Sequence, residues 1–339
     1  MEELQERGGL SSPQQQLVKE GIARSEAEDF SVSFPAQLDP PTLGAGMEVA
    51  SSTFYGFSRA TSSVNWRGGA LSADGKIHRL SSGRAGTNSY GAAEASVGYA
   101  QRWDALTLRG SLGGFTTGRS LPIGELFLDW KLGGGFTPYV GAYRLALAKD
   151  VPLPADLSGL ARDVVVFGFR VRNDLDYRLE VRSFGGLTQS TRHSLDVRVP
   201  IYDGVVIEPR SGRLSLAFQG ETERFGAATP YIYSPRMATA LRGGLNFASH
   251  YTENLSGSLQ VDYGQVFESQ QAVPSGNQLT LGAGASLLGL GAEMGYLITK
   301  ELLAGFRFRV DRTSGDQGST TYGSTVFGVG LTWKFRGGR

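Results

Sequence analysis

The residues that could carry catalysis are few and widely separated. The chain of 339 residues has three histidines, His78, His193 and His250, and no cysteine. It therefore has no thiol nucleophile and no thiolate metal ligand, and no G-x-S-x-G motif marks a serine nucleophile. The one pair that invites a test for acid–base chemistry is His250 with Asp262, on neighbouring stretches. We predict no catalytic residue, no metal site, no cofactor and no enzyme.

Charged side chains instead alternate with apolar ones, as in "FGFRVR", "YRLEVRS" and "AGFRFRVD". Successive side chains of a β-strand point to opposite faces, so each stretch predicts a strand with one apolar and one polar face. The polar faces carry both positive and negative side chains, and arginines are more numerous than acids. They include Arg109, Asp129, Arg170, Arg172, Arg178, Glu180, Arg182, Asp196, Arg198, Arg242, Asp262, Arg307, Arg309 and Asp311.

Strand patterns of this kind continue from Met47 to the closing stretch "FGVGLTWKF". Many are about ten residues long, which is longer than strands of soluble sheets and long enough to cross a bilayer when tilted. Turn sequences such as "ADGK" and "SGDQG" separate them. We predict an all-β fold, a transmembrane antiparallel β-barrel of about 16 strands (roughly 14–18), because closure leaves no sheet edge unpaired. Near Leu287 and Leu288 the alternation changes phase, which predicts a tight turn or a bulge.

In such a barrel the apolar faces contact lipid and the polar faces line the lumen. Two interpretations of the lumen charges remain open. They could pair across strands and hold water and register. Alternatively, an arginine-rich wall could guide an anionic or hydroxyl-rich solute, because guanidinium groups bind carboxylates and sugar hydroxyls. Arginines outnumber acids in the predicted set, so the second interpretation predicts a net positive lumen.

Residues 1–45 lack the strand pattern. In "SSPQQQLVKEGIARSEAEDF", Ser12 suits a helix N-cap and Pro13 the first helical position, which predicts a short helix. The segment "PAQLDPPTLGAG" reads as a proline-rich linker. We therefore divide the chain into an N-terminal helix and linker, residues 1–45, on the periplasmic side, and an outer-membrane barrel, residues 46–339. The first residues do not form a secretory signal.

One stretch, "TPYIYSPRMATALRGGLNFASH", carries a family resemblance. Tyr233, Ser234, Pro235 and Arg236 match an aromatic–x–Ser/Asn–Pro motif that precedes a late strand in bacterial exopolysaccharide exporters. The chain thus resembles the outer-membrane barrels, usually linked to TPR repeats, that export poly-N-acetylglucosamine, cellulose or Pel polysaccharide. The closing strand with its terminal aromatic also resembles the signal that barrel-insertion machinery reads. The resemblance implies a passive conduit through which a polymer is pushed by synthesis at the inner membrane.

Pattern and resemblance together predict a conduit of the bacterial outer membrane that exports a secreted polysaccharide through a polar, arginine-rich lumen. A general diffusion porin and a translocon barrel for surface proteins are the alternatives. Expected partners are outer-membrane lipid and lipopolysaccharide, the polysaccharide itself, and periplasmic or inner-membrane synthase components. The net charge of +1 gives no sign of a nucleic-acid partner.

Overall fold

The structure, a computed structural model, describes residues 41–52, 57–82, 89–149, 153, 157–172, 174–207, 210–229, 231–252, 254–269, 285–314 and 321–335. Sixteen strands dominate it. They are β1 Thr42–Ser52, β2 Phe57–Gly68, β3 Leu71–Ser82, β4 Tyr90–Trp103, β5 Leu106–Thr116, β6 Ser120–Trp130, β7 Phe136–Ala146, β8 Ala161–Val171, β9 Leu175–Phe184, β10 Gln189–Ile207, β11 Arg210–Phe225, β12 Met237–His250, β13 Leu255–Ser269, β14 Ala285–Leu297, β15 Leu302–Ser314 and β16 Thr321–Lys334. Two single 3-10 turns cover Gly133–Gly135 and Leu147–Lys149. No helix among these residues is long and apolar enough to cross a membrane.

The sheet closes on itself. Each strand pairs antiparallel with its sequence neighbours, and β16 pairs with β1 from Thr42↔Lys334 to Ser52↔Ser324. Closure satisfies the backbone groups that would otherwise lie unpaired at two sheet edges. The predicted antiparallel barrel and its strand number are both confirmed.

The two ends of the barrel differ in their connections. At the end that carries Thr42 and Lys334, neighbouring strands are joined by short turns such as residues 69–70 and 104–105. The opposite end carries longer connections, including residues 147–160 and 226–236. Outer-membrane barrels have short periplasmic turns and longer extracellular loops. The end at Thr42 is therefore the periplasmic end, and the other is the extracellular end.

The apolar face of the strands is the outer face. Along β13, Leu259 and Val261 are 45% and 44% exposed, whereas Gln260 and Asp262 between and beside them are 9% and 4% exposed. Large apolar side chains cover the outside elsewhere as well, with Leu112 75% exposed. A continuous apolar exterior on a closed barrel is the surface that a lipid bilayer requires. The barrel therefore spans a membrane, with its polar face inward.

The phase change near Leu287 proves to be neither a turn nor a bulge, so that prediction was wrong. Strand β14 runs through it, and its register against β13 is unbroken. Leu288 is exposed on the outside, whereas Leu287 is buried on the inside against Val266 and Ala285. The pattern misled because an apolar side chain occupies an inward position here. A register shift occurs instead in β10, after Pro200.

The first strand begins earlier than the sequence pattern indicated. Residues 42–45, which the pattern assigned to the linker, belong to β1 and pair with both β2 and β16. The predicted helix near residues 13–28 and the preceding segment lie outside the described residues.

Candidate functional site

The lumen is the candidate functional site, and its wall carries a chain of ion pairs. Arg109 on β5 contacts Asp129 on β6 at 2.7 Å between Nη2 and Oδ2. The other oxygen of Asp129 lies 3.3 Å from Nη2 of Arg170 on β8. Arg170 also lies 3.7 Å from Asp176 on β9. Each charge thus has a neighbour of opposite sign on another strand.

The chain continues along β9, where alternate residues face inward. Nη1 of Arg178 lies 3.5 Å from Oε1 of Glu180, and Nε of Arg182 donates a hydrogen bond to Oε2 of Glu180 at 2.6 Å. Arg182 then reaches Glu223 on β11 at 3.5 Å. We call the complete series the ion-pair ladder: Arg109, Asp129, Arg170, Asp176, Arg178, Glu180, Arg182 and Glu223.

Aromatic side chains on the inner wall lie beneath the arginines of the ladder. The guanidinium of Arg170 sits 4.8 Å from the ring centroid of Tyr139, within cation–π range. The hydroxyl of Tyr139 donates to Asp176 at 2.7 Å. A Cβ atom at Gly168 would lie 2.4 Å from that ring, so glycine is what allows the ring to lie flat on the wall. Tyr139 therefore fixes both charges in place.

A second group of charges lies on β12, β13 and β15. Arg242 lies 3.6 Å from Asp262 and 3.4 Å from Asp311, and Arg309 lies 3.7 Å from Asp262 and 2.8 Å from Asp311. We call Arg242, Asp262, Arg309 and Asp311 the four-charge cluster. Each acid contacts both arginines, so the cluster is internally neutral.

Most of the predicted lining residues project from the inner face. These include the members of the ladder and of the cluster that the sequence pattern identified. Arg307 lies 3.5 Å from Glu293 across β14 and β15. On β10, Asp196 and Arg198 share the inner face with Ser190, opposite the exposed Leu195 and Val199.

Arg172 is the exception among the predicted lining residues. It lies one residue beyond β8, in the turn to β9, with a φ of 54° and an exposed side chain. The alternation of β8 does not extend through this turn, so strand parity does not place the Arg172 side chain. The assignment of Arg172 to the lumen wall stays a prediction.

The predicted set of lumen acids was incomplete. Asp176, Glu221, Glu223 and Glu293 face inward as well, and each lies within ion-pair distance of an inward arginine. The alternating stretches that predicted the lumen residues end before these acids. Glu221 and Glu223 follow a glycine, and Glu293 follows the change of phase near Leu287. Four further acids thus pair with inward arginines, and the predicted net positive charge of the lumen stays a prediction.

The extracellular part of the lumen contains a large apolar cluster. Residues of β3, β4, β5, β6, β7, β9 and β11 form one buried cluster with residues of two extracellular connections, and in it Phe115 is 1% and Leu153 0% exposed. We call this cluster the apolar plug. It consists of Leu80, Ala92, Phe115, Ile123, Ala146, Leu147, Ala148, Leu153, Phe184, Phe225 and Ile232. Since the wall residues of the plug point into the barrel, Leu147, Ala148 and Leu153 of the β7–β8 connection lie in the lumen.

Polar side chains of the wall hold the base of this inserted connection. Nζ of Lys149 lies 2.7 Å from Oε2 of Glu94 on β4, and both side chains are buried. The carbonyl of Lys149 accepts a hydrogen bond from Nη1 of Arg59 on β2 at 3.1 Å. The carbonyl of Ala148 accepts one from the hydroxyl of Tyr90 at 3.1 Å. The β7–β8 connection is thus tied to two strands on the other side of β5 and β6.

The predicted family motif lies in the second connection that contributes to the plug, between β11 and β12. Oγ of the buried Ser234 accepts a hydrogen bond from the backbone N–H of Thr229 at 2.9 Å and lies 3.0 Å from the carbonyl of Ile232. The hydroxyl of Tyr233 donates to Glu268 on β13 at 2.5 Å. Pro235 is buried and Arg236 is exposed. The motif therefore shapes the turn that directs Ile232 inward.

The three histidines do not come together. His250 is paired with Ser256 at the periplasmic end, so Asp262 lies about 20 Å further along β13. His78 is buried beside Glu94, and His193 is exposed on the outside. Among the residues that the structure describes, no three His, Asp or Glu side chains form a group that could hold a metal ion. The His250–Asp262 pair can be discarded.

No family model and no curated protein sequence matches the chain. Solved structures do. A bacterial polysaccharide outer membrane secretin is similar with a TM-score of 0.66 and 13% identity, covering 88% of this chain and 100% of that one. CdiB from Acinetobacter baumannii matches with a TM-score of 0.48 and 12% identity, covering 87% of this chain and 60% of that chain. OccK10 from Pseudomonas aeruginosa matches with a TM-score of 0.38 and 10% identity, covering 88% of this chain and 100% of that chain.

These likenesses concern the fold. The secretin, with a TM-score of 0.66, is an outer-membrane protein, and the closed sheet with its apolar exterior and polar lumen shares its fold. The protein is therefore a 16-stranded β-barrel of the bacterial outer-membrane type, with a charged inner wall and an apolar plug.

Proposed function

We propose that the barrel exports a secreted polysaccharide and that the apolar plug is its closed gate. The observation that carries this proposal is the position of the plug. Leu147, Ala148 and Leu153 enter the lumen at the extracellular end, above a wall that is polar. An apolar constriction can close a pore to water and ions by dewetting. A conduit for a long polymer needs such closure whenever the polymer is absent.

The wall below the plug suits a polymer that must keep moving. Guanidinium groups and carboxylates alternate along the ion-pair ladder, so the wall offers hydrogen-bond donors and acceptors to sugar hydroxyls at many points. Transport requires contacts that are weak and repeated, because a tightly held solute does not leave. Charges already engaged with one another bind a sugar more weakly than free charges would.

Two further observations support the polysaccharide assignment. The motif at Tyr233, Ser234, Pro235 and Arg236 resembles that of exopolysaccharide exporters, and it lies in a connection that builds the plug. The solved structure that aligns with a TM-score of 0.66 is a polysaccharide secretin. The synthase components expected from the sequence would deliver polymer at the periplasmic end.

Planar bilayers test this proposal. The full chain should be nearly closed at rest, and a variant with an opened plug, Glu94→Gln combined with Lys149→Met, should conduct. Soluble oligosaccharides added to the periplasmic side should then block the current transiently. A wild-type channel that conducts steadily would identify a diffusion porin. An open variant insensitive to every oligosaccharide would exclude polysaccharide export and leave the translocon for testing.

A further inference from the structure

We infer that the exported polymer is uncharged along its length, a neutral polysaccharide and not a polyanion or polycation. This inference rests on the proposed function. It is drawn from the ion-pair ladder and the four-charge cluster, in which charges of opposite sign alternate or meet in pairs.

Strand β9 shows the arrangement on one side of the lumen. Its inward residues alternate in sign in the order Asp176, Arg178, Glu180 and Arg182. Successive inward residues of a strand are about 6.6 Å apart. Arg178 lies within 4.0 Å of acids on both sides, at Asp176 and Glu180. A charged group that moves along this strand would therefore pass from a residue of opposite charge to a residue of like charge over the distance between two successive inward residues.

The other side of the lumen is neutral in the same way. The four-charge cluster on β12, β13 and β15 contains two arginines and two aspartates, each in contact with both opposite charges. Strands β5 and β13 stand on opposite sides of the 16-strand circle, so the ladder and the cluster flank the same lumen. In the ladder and in the cluster alike, arginines and acids are equal in number.

This arrangement disfavours a charged polymer. Clefts that attract a charged ligand are lined by one sign, which raises the local potential. Paired charges less than 4 Å apart largely cancel at longer range, and salt screens the remainder within about 8 Å at physiological ionic strength. A polyanion would leave water and meet carboxylates as often as guanidiniums, and like-charge contacts of this kind are unfavourable. A neutral sugar chain can donate to the carboxylates and accept from the arginines.

Single-channel recordings of the opened variant, Glu94→Gln with Lys149→Met, test the inference with three probes of equal length. These are a neutral β-1,4-glucan oligomer, an anionic oligouronate and a cationic glucosamine oligomer. We expect weak ion selectivity, with a reversal potential near zero in a KCl gradient. The neutral oligomer should block at least fivefold more often than either charged oligomer at equal concentration.

A second variant gives the lumen wall an excess of positive charge. Asp176→Asn with Glu180→Gln, added to the opened variant, should make the channel anion-selective and increase block by the oligouronate at least fivefold. The matched control is Arg144→Gln with Asp163→Asn, an ion pair on the outer face whose loss should change neither quantity. If the double variant does not fold, Arg170→Gln can be used instead. It leaves an excess of negative charge on the wall and should shift ion selectivity toward cations.

The outcomes separate the two proposals. Preferential block by a charged oligomer, or equal block by all three, would overturn the neutral-polymer inference and leave polysaccharide export standing. Block by none of the three would overturn polysaccharide export itself. A strong ion selectivity of the opened variant without further mutation would contradict the charge balance on which the inference rests.

Discussion

Lys149 places its ammonium nitrogen 2.7 Å from Oε2 of Glu94, and their side chains are only 7% and 3% exposed. Lys149 belongs to the connection that enters the lumen, whereas Glu94 belongs to the wall. Glu94 also meets Lys76 at 3.3 Å, so one carboxylate balances two ammonium groups. Removal of one partner of a buried ion pair is strongly destabilising, because the remaining charge is left without compensation.

Replacement of Glu94 by Gln should therefore loosen the plug. The closed position of Lys149 would lose on the order of 3–5 kcal/mol, the usual effect of breaking a buried ion pair. We expect a marked increase in resting conductance in planar bilayers, with the barrel still folded on a heat-modifiability gel. Asp163→Asn is the control, since its pair with Arg144 lies on the outer face. An unchanged current in a folded Glu94→Gln barrel would show that the pair does not hold the gate.

Ser234 should matter for the second inserted connection. Ser234→Ala removes the hydroxyl that accepts the N–H of Thr229 and leaves that buried group unsatisfied. A buried donor without a partner costs about 1–3 kcal/mol. We expect faster protease cleavage within residues 226–236 and a higher resting conductance. Ser215→Ala, on the inner wall far from this connection, provides a comparison. Equal cleavage rates in the two variants would contradict this role for Ser234.

The two faces of β13 can be compared at neighbouring positions. Val261→Arg should destabilise the barrel in lipid vesicles by about 2–4 kcal/mol if the residue lies near the bilayer midplane. Gln260→Arg, facing the lumen beside Asp262, should have a much smaller effect. Urea titrations followed by tryptophan fluorescence measure both. Similar losses of stability would place the two side chains in similar surroundings and argue against the assignment of faces.

Much of the barrel was predictable because lipid enforces a strict alternation. Leu259 is exposed on the outer face and Gln260 is buried on the inner face, and the apolar and polar side chains match these two positions. Alternation loses its meaning where the lumen is itself apolar. Leu287 and Phe115 face inward, yet their types are those of lipid-facing residues.

The plug itself could not be predicted for a related reason. Leu147 and Leu153 lie in a connection, and their inward position depends on Glu94, Arg59 and Tyr90, which are distant in sequence. Pairing of the lumen charges was equally hidden. Strand parity identified Arg182 as inward, but its contact with Glu223 depends on which strands become neighbours and on their register.

Deletion of residues 1–40 should leave the barrel intact. The closing pair of strands begins at Thr42, and the N–H of Phe335 donates to the carbonyl of Pro41 at 2.8 Å. The hydrogen bonds that join β1 to β16 therefore need nothing before Pro41. We expect the truncated protein to insert into vesicles and to keep its heat-modifiable mobility. Loss of the folded barrel would mean that residues 1–40 contribute to its structure.

Arg307 and Arg309 test whether the lumen arginines act as free positive charges or as members of pairs. They contact Glu293 at 3.5 Å and Asp311 at 2.8 Å, respectively, on the inner face. In Arg307→Gln/Arg309→Gln, Glu293 loses its contact with Arg307, and Asp311 keeps only Arg242, so the charge of the lumen becomes more negative by two.

The double variant, made in the opened channel, should therefore become cation-selective, with a reversal potential that moves toward that of potassium in a KCl gradient. The shift should be largest at low salt, because screening weakens the field of the uncovered carboxylates. Unfolding free energy should also fall, since both pairs join neighbouring inward positions of the wall. The control is Arg312→Gln, which faces outward on the same strand and should leave selectivity unchanged. An opened channel that starts anion-selective and merely becomes neutral in the double variant would show that arginine is in surplus and that the pairs do not balance the lumen.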